Sequence, residues 1–292
     1  MTGTGKDEAG GKEFRRVAEE LRVRMADGVY PLGSYLPAQA ALAAGFGVSR
    51  NTVQRVIEEL RSEGWIESRQ GKGSRVIKNQ RVQSWSPRAS RSRQALTLGP
   101  LIGEAFEQPE VTLDVYTLTS ESLDAHIRTQ AERIRARNIT PQRIALRVLL
   151  PSESMTLPYP RAKDDPDDPR LQDRLHHITR RHTESLREVL TALRTENLVS
   201  SVELEIRHTP LTPTFKLYVI NGEVLHGAYT VIERSVVLDD GETITALDVL
   251  GYGATLTHHV RDADPNLPGS VFVEGMTTWF ESVWTRLADR LS

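Results

Sequence analysis

The chain has 292 residues, enough for two domains, with an ordinary hydrophobic fraction of 38% and no cysteine. The absence of cysteine excludes disulfides, thiol catalysis and thiolate metal sites. The net charge of −2 hides an asymmetry, because residues 1–98 carry 17 basic and 10 acidic side chains while residues 99–292 carry 20 and 29. A basic amino-terminal third on an acidic body is typical of a protein that applies one end to phosphates.

The first residues, 1–11, are rich in glycine and charge and are expected to be disordered. They lack the apolar core of a signal peptide, so no secretion signal is predicted. No apolar run in the sequence approaches the length of a membrane span. We therefore expect a soluble, cytoplasmic protein with no membrane partner.

Two helices are predicted at the start of an amino-terminal domain that covers residues 12–78. Apolar side chains at helical spacing predict the first helix over residues 12–27. The second is predicted from Gln39 to Ala44, where Gly45 stops it because glycine tolerates the left-handed conformation of a helix terminus.

A third, amphipathic helix is predicted to follow Ser49 and to end before Gly64. Ser49 is its predicted N-cap, because the serine hydroxyl can accept a hydrogen bond from the first-turn N–H groups. Its apolar face is formed by residues at helical spacing, namely Val53, Val56, Ile57 and Leu60. Its exposed side carries polar residues that can read base edges in a major groove, namely Arg50, Asn51, Gln54 and Arg55.

A β-hairpin is predicted after this helix. Its strands lie at residues 65–68 and 75–77, and the turn Arg69-Gln70-Gly71-Lys72-Gly73-Ser74 supplies the glycines that a tight hairpin needs. Helix, helix–turn–helix and hairpin in this order make a winged helix.

Residues 14–77 resemble the DNA-binding domain of the GntR family of bacterial transcription regulators. The matching segments run from Gly28 to Pro37, from Phe46 to Val53, from Leu60 to Ile66 and from Arg69 to Ser74. The resemblance implies a homodimer on a near-palindromic operator in double-stranded DNA, with the third helix in the major groove and the wing in the minor groove. The residues expected to contact DNA are Gln39, Ser49, Arg50, Asn51, Thr52, Gln54, Arg55, Arg69, Gln70, Gly71, Lys72 and Gly73.

Two departures from the family pattern affect the expected operator. Where the family commonly has Ser-Glu-Arg, this chain has Ala38-Gln39-Ala40, so one usual basic contact is missing. Gln54 stands where many members place an arginine, and glutamine pairs with adenine where arginine pairs with guanine. The operator is therefore expected to differ from the commonest family patterns.

Residues 79–98 contain four arginines, four serines and no acidic residue, and we interpret them as a basic linker. Residues 99–292 then alternate strands and helices, which predicts an α/β domain with a mixed sheet for effector binding and dimerisation. Strands are predicted at 111–118, 143–150, 202–208, 215–220, 224–232, 235–238 and 243–249, helices at 120–138, 171–198 and 271–291, and a loop at 155–169.

The segment from Thr214 to Gly222 resembles a degenerate form of the phospholipase D motif, His-x-Lys-x4-Asp. Thr214 replaces the histidine nucleophile and Asn221 the aspartate, so only Lys216 is kept. Because that reaction needs the imidazole, we expect no catalytic residue and no enzyme. Two readings of Lys216 stay open: it holds a small anionic effector with Thr214 and Asn221 as neutral partners, or it pairs with an acid on an ordinary sheet.

No metal and no cofactor is predicted. Three histidines on one predicted helix, at 176, 177 and 182, have spacings of one, five and six, which do not share a helix face. His258 and His259 are predicted in a loop beside two aspartates, which favours a solvated polar loop over a cation site.

Taken together, these patterns predict a dimeric, sequence-specific transcription regulator whose operator affinity changes with a small ligand. A repressor is favoured over an activator by the family resemblance. Two alternatives remain: a DNA-targeted phosphodiesterase or nuclease of the phospholipase D type, and an architectural DNA binder without an effector.

Overall fold

The computed structural model describes residues 13–14, 16–18, 20–22, 24–25, 29–30, 33–62, 65–69, 73–76, 82–84, 98–238, 241–250 and 256–290. By its contacts the chain divides into two compact units, Met1–Asn79 with Ser235–Thr245, and Gln80–Arg234 with Ala246–Ser292. The predicted disordered tail, residues 1–11, lies outside the described residues. Within those ranges, no helix combines the length and the apolar character needed to cross a bilayer.

The amino-terminal unit contains the predicted winged helix. The described residues of helix α1, between 13 and 25, are helical and bury Val17, Leu21 and Met25. The remaining elements are α2 (Gln39–Phe46), α3 (Arg50–Ser62), β1 (Ile66–Arg69) and β2 (Gly73–Val76). Strands β1 and β2 pair antiparallel, with Ile66 opposite Val76, and Trp65 is fully buried beside them.

Helix α2 continues to Phe46, two residues beyond its predicted last residue, Ala44. It ends at Gly47, which has a φ of +66° in the left-handed region, and the N–H of Val48 donates to the carbonyl of Ala43 at 3.0 Å. Both glycines suit a helix end, but it is Gly47 that adopts the left-handed conformation and allows Val48 to donate this hydrogen bond. The prediction that the helix stops at Gly45 was therefore wrong.

The second unit is built on a mixed sheet of eight strands in the order β13-β7-β5-β4-β8-β9-β12-β3. Strands β4, β5 and β7 are parallel, and β8 and β9 add antiparallel strands next to β4. The elements of the chain that follow β2 are β3 (Val82–Ser84), α4 (Leu98–Phe106), β4 (Glu110–Tyr116), α5 (Glu121–Arg135), β5 (Arg143–Pro151), β6 (Arg161–Ala162), α6 (Arg170–Thr195), β7 (Ser201–Thr209), β8 (Phe215–Ile220), β9 (Glu223–Ala228), β10 (Val231–Val237), β11 (Thr243–Val249), β12 (Leu256–His259), α7 (Pro268–Arg286) and β13 (Asp289–Arg290).

Helices cover both faces of this sheet. One face packs on α4, α5 and α6, where Leu146, Val148 and Tyr218 belong to the larger apolar core. The other face packs on α7, where Leu217 and Val219 meet its aromatic side chains. Neighbouring residues of β8 therefore point to opposite faces, as the pleat of a strand requires. The α/β class with a mixed sheet, predicted from the alternating pattern, is confirmed.

The strand predicted over 224–232 is in fact two strands in different sheets. Strand β9 ends at Ala228, and β10 begins at Val231 in a small sheet of order β10-β11-β6. Between them the N–H of Tyr229 donates to the carbonyl of Thr214 at 2.9 Å. The predicted strand at 235–238 is the second half of β10, and β6 lies inside the predicted loop at 155–169.

Five elements had no counterpart in the sequence prediction: β3, α4, β6, β12 and β13. Strand β3 occupies three residues of the predicted linker 79–98 and pairs parallel with β12, while residues 79–81 and 85–97 lie outside the described residues. Helix α4 begins at Leu98, and strand β13 pairs antiparallel with β7.

Helices α5 and α6 are joined by a buried polar cluster around Asp124, whose exposed fraction is 1%. One carboxylate oxygen lies 2.8 Å from Nδ1 of His182, and the other accepts a hydrogen bond of 2.5 Å from the hydroxyl of Ser185. The guanidinium Nε of Arg128 lies 3.4 Å from the same carboxylate and donates to Ser185 at 2.7 Å. These contacts satisfy a carboxylate that burial alone would destabilise.

Candidate nucleic-acid interface

Helix α3 is fixed at its start by Ser49. The Ser49 hydroxyl accepts a hydrogen bond from the N–H of Thr52 at 3.1 Å, and the two hydroxyl oxygens lie 2.9 Å apart. The predicted N-cap is confirmed. Val53, Val56 and Leu60 are fully buried on the inner face, so the polar side of the helix faces solvent.

The polar residues of α3 fall into two groups. Arg50 and Asn51, in the first turn, are exposed, and within the described residues neither side chain is hydrogen-bonded to protein. Gln54 donates from Nε2 to Glu58 at 3.1 Å, and the Arg55 guanidinium lies over the ring of Phe14, 5.1 Å from its centroid. Of the four side chains of α3 predicted to read bases, Arg50 and Asn51 therefore have no hydrogen-bond partner among the described residues. Gln54 and Arg55 each contact another side chain of the protein.

The outer positions of the predicted interface are only partly described. Gln39 is the first residue of α2 and is exposed. Gly73 begins β2 with a φ of +88° and lies opposite Arg69 in the hairpin register. The side chain of Arg69, together with Gln70, Gly71 and Lys72, lies outside the described residues.

Arg75 was not among the residues expected to contact DNA. Its side chain links the hairpin to the connector between α1 and α2. Its Nε donates to the carbonyl of Gly33 at 3.0 Å, and its Nη1 lies 3.6 Å from the carboxylate of Glu67. Tyr35 forms an isolated antiparallel bridge with the same residue. Arg75 therefore positions the wing, and its place in a β-strand register was not visible from composition.

We expect Ser49→Ala to destabilise the first turn of α3, because the N–H of Thr52 loses its acceptor. The expected loss is about 0.5–2 kcal/mol. Hydrogen exchange on the full-length protein should show faster exchange of the Thr52 amide. Ser49→Asp, which keeps an acceptor, is the matched control, and equal protection of Thr52 in the alanine variant would contradict the capping role.

Comparison with known proteins places this arrangement in a family. The model of "Bacterial regulatory proteins, gntR family" matches residues 14–76. The amino-terminal unit carries a GntR-family helix–turn–helix domain. For the GntR domain, the order of helices and hairpin predicted from sequence is thus confirmed.

Each of the following relatives matches only part of this chain. The "Uncharacterized HTH-type transcriptional regulator YdfD" of Bacillus subtilis (strain 168) is 32% identical over 124 residues, 39% of this chain and 25% of the relative. The "Probable transcriptional regulator PhnF" of Escherichia coli (strain K12) is 48% identical over 64 residues, 22% of this chain and 26% of the relative. Among solved structures, the amino-terminal domain of AraR in complex with mutant ORR3 is 32% identical, over 22% of this chain and 93% of that one, with a TM-score of 0.22. The chain thus spans about a quarter of the length of YdfD and of PhnF.

The three residues predicted to bind an effector do not converge. Thr214 is exposed just before β8, and Lys216 within β8 is buried, with an exposed fraction of 4%. Asn221 lies beyond the far end of β8, roughly 17 Å from Lys216 at the rise of an extended strand. Its Oδ1 accepts from the N–H of Thr112 at 2.8 Å and its φ is +47°, so Asn221 shapes the turn between β8 and β9. The structure therefore places Asn221 apart from Lys216, and an effector site that contains both stays a prediction.

The surroundings of Lys216 are polar and buried. Its Nζ lies 5.8 Å from the centroid of the Tyr229 ring, and the Tyr229 hydroxyl accepts from the N–H of Leu118 at 3.0 Å. Burial, and then the positive charge of Lys216, lower the pKa of His126 to about 4. The His126 imidazole is therefore neutral near pH 7. The resemblance to phospholipase D around Lys216 stays a prediction.

His258 and His259 lie in strand β12, so the predicted loop was wrong here. Nε2 of His258 lies 2.8 Å from a carboxylate oxygen of Glu223, and the His259 ring stacks on Phe272 with centroids 4.1 Å apart. Cross-strand pairing with β9 and packing on α7 explain the histidine pair. Within the described part of the chain, no group of three potential metal ligands occurs.

A groove of about 1030 Å³ lies elsewhere in the second unit. Some of its charged lining residues pair with one another: Arg147 bonds Asp114 through two contacts of 2.6 Å and Glu281 through one of 2.5 Å. Thr214, Lys216 and Asn221 do not line it. The groove therefore gives no support to the predicted effector residues.

Proposed function

We propose that this protein is a cytoplasmic, sequence-specific regulator of transcription, built on its GntR-family domain. The observation that carries the proposal is the capped helix α3, which presents the uncommitted side chains of Arg50 and Asn51 on its solvent side. Arginine and asparagine at the start of a helix are suited to bidentate contacts with guanine and adenine in a major groove.

We infer that the protein binds a near-palindromic operator as a homodimer and represses transcription. Two copies of α3 would read two half-sites, and the carboxy-terminal domains would set the spacing between them. A small anionic effector of that domain would alter operator affinity by binding one dimer geometry more tightly than the other. The buried lysine of strand β8 supports an anionic effector.

Footprinting of the full-length protein on the DNA upstream of its own gene tests this proposal. A protected region with two symmetric half-sites is expected, with affinity about a thousandfold or more above that for unrelated DNA at the same salt. Equal affinity for all sequences, with a steep salt dependence, would support an architectural DNA binder and contradict a regulator.

A catalytic role is disfavoured by the chemistry of the site. Thr214 stands where the phospholipase D mechanism needs a histidine, and a threonine cannot form the phosphohistidine intermediate. Hydrolysis of a generic phosphodiester by the wild-type protein, lost in Lys216→Ala, would overturn this conclusion.

A further inference from the structure

Helix α5 begins in a buried polar region next to the carboxyl end of strand β4. Three consecutive residues at its start, Ser120, Glu121 and Ser122, have exposed fractions of 0%, 7% and 4%. Strand β4 is parallel to β5 and β7, and ligands of α/β proteins commonly bind outside the carboxyl ends of such strands. The start of α5 therefore lies where this type of fold places ligands.

The start of α5 is buried without a side-chain cap. Ser120 occupies the N-cap position, yet its hydroxyl makes no capping bond and, within the described residues, no other hydrogen bond. The first intrahelical bond is donated by Asp124 to the carbonyl of Ser120 at 2.9 Å, so the preceding N–H groups have no acceptor in the helix. A buried helix end with an unpartnered hydroxyl and a positive dipole end favours an acceptor that carries negative charge.

Lys216 lies on the same side of the sheet as this helix end. Tyr218, two residues further along β8, packs with α5 and α6, and side chains alternate along a strand. The ring of Tyr229 links the two features, since it lies near the Lys216 ammonium and its hydroxyl bonds the backbone of Leu118, two residues before Ser120. The contacts of Tyr229 therefore connect the buried ammonium with the segment that leads into the positive end of the helix.

The other charges around α5 limit the type of anion. Asp124 is occupied by His182, Ser185 and Arg128, and His126 is neutral because its pKa is lowered. Glu121 adds a carboxylate in the first turn of the helix. That negative charge disfavours a dianion, so a singly charged oxyanion fits the region better than a phosphate.

We propose that the amino-terminal end of α5, the hydroxyl of Ser120 and the ammonium of Lys216 together bind the carboxylate group of a small metabolite. This inference rests on the proposed function, because it assigns the chemistry of the effector. The N–H groups and the hydroxyl donate to the carboxylate oxygens, and Lys216 supplies the opposite charge.

Thermal unfolding of the full-length protein without DNA tests the site, with acetate replacing chloride at constant ionic strength. We expect a saturable rise in melting temperature with acetate. Ser120→Ala should keep or raise the melting temperature without acetate, since it removes an unpartnered hydroxyl, but should raise the half-saturating acetate concentration by about three- to tenfold. Lys216→Met should abolish the response. Lys163→Met, at an exposed ion pair with Glu233, is the matched control and should respond as wild type.

Several outcomes would overturn the inference. One is a response to acetate that does not saturate, and another is an equal response in wild type, Ser120→Ala and Lys216→Met. Saturation by phosphate or sulfate but not by acetate would contradict the preference for a single charge.

Operator binding without acetate should be unchanged in Ser120→Ala. A failed acetate response with intact operator binding therefore contradicts only this site, whereas a wild-type protein that prefers no DNA sequence contradicts the proposed function.

Discussion

Arg50→Ala should lower operator affinity by about 1–3 kcal/mol, or roughly 5- to 150-fold, at fixed salt. Arg50 is the first residue of α3 and is exposed, so its guanidinium can reach a base edge without breaking a contact inside the protein. The loss should fall on one base pair of each half-site, because a bidentate contact reads a single base. Binding to a set of operators with single substitutions, measured by gel shift, would show that position as newly tolerant.

Arg61→Ala is the matched control for this prediction. Arg61 is also an exposed arginine of α3, but it lies in the last turn, away from the end that enters a groove. Arg61→Ala should weaken binding to all DNA sequences equally, and by less than Arg50→Ala weakens binding to the operator. If Arg50→Ala left operator affinity unchanged, or if both variants lost affinity uniformly, α3 would not be the reading helix.

Asp124→Ala should lower the free energy of unfolding of the second unit by about 3–5 kcal/mol. The substitution leaves the hydroxyl of Ser185 and Nδ1 of His182 without their shared acceptor inside the α5–α6 interface. It also leaves the positive charge of Arg128 without its carboxylate. Urea unfolding of the full-length protein, followed by far-UV circular dichroism, measures this loss.

Glu132→Ala is the control on the same helix. Glu132 pairs with Arg135 at 2.8 Å, but its side chain is 74% exposed, so its removal should cost less than about 1 kcal/mol. If the two alanine variants had similar unfolding midpoints, the buried cluster would contribute no more than a surface ion pair.

Features that depend on neighbouring residues could be predicted from the sequence. The cap at Ser49, the apolar face of α3 and the bounds of β8 and β11 follow from local pattern, and the structure reproduces them. Helix α4 was missed because its segment, Leu98–Phe106, contains two glycines and a proline, and burial against α5 and the sheet outweighs their low helix propensity.

Features that depend on distant residues could not be predicted. Asp124 and His182 are 58 positions apart, and no spacing rule connects them. The same holds for Leu118 and Lys216, which both contact Tyr229 although they lie far apart in the sequence. Asn221 and Lys216 show the reverse case, because they are close in the sequence but far apart in space. The segment between them is an extended strand, which holds the two ends of the motif apart.

The contact between Arg55 and Phe14 occupies one of the four polar side chains of α3 that were predicted to read bases. With Arg55 held over a ring and Gln54 bonded to Glu58, Arg50 and Asn51 remain as the uncommitted side chains of α3 that can distinguish bases. In the proposed dimer, these two α3 contacts per copy would specify about four base pairs, a combination that recurs by chance roughly every few hundred base pairs. A genome would contain many such matches, so the distance between the half-sites of the proposed operator would have to supply much of the discrimination.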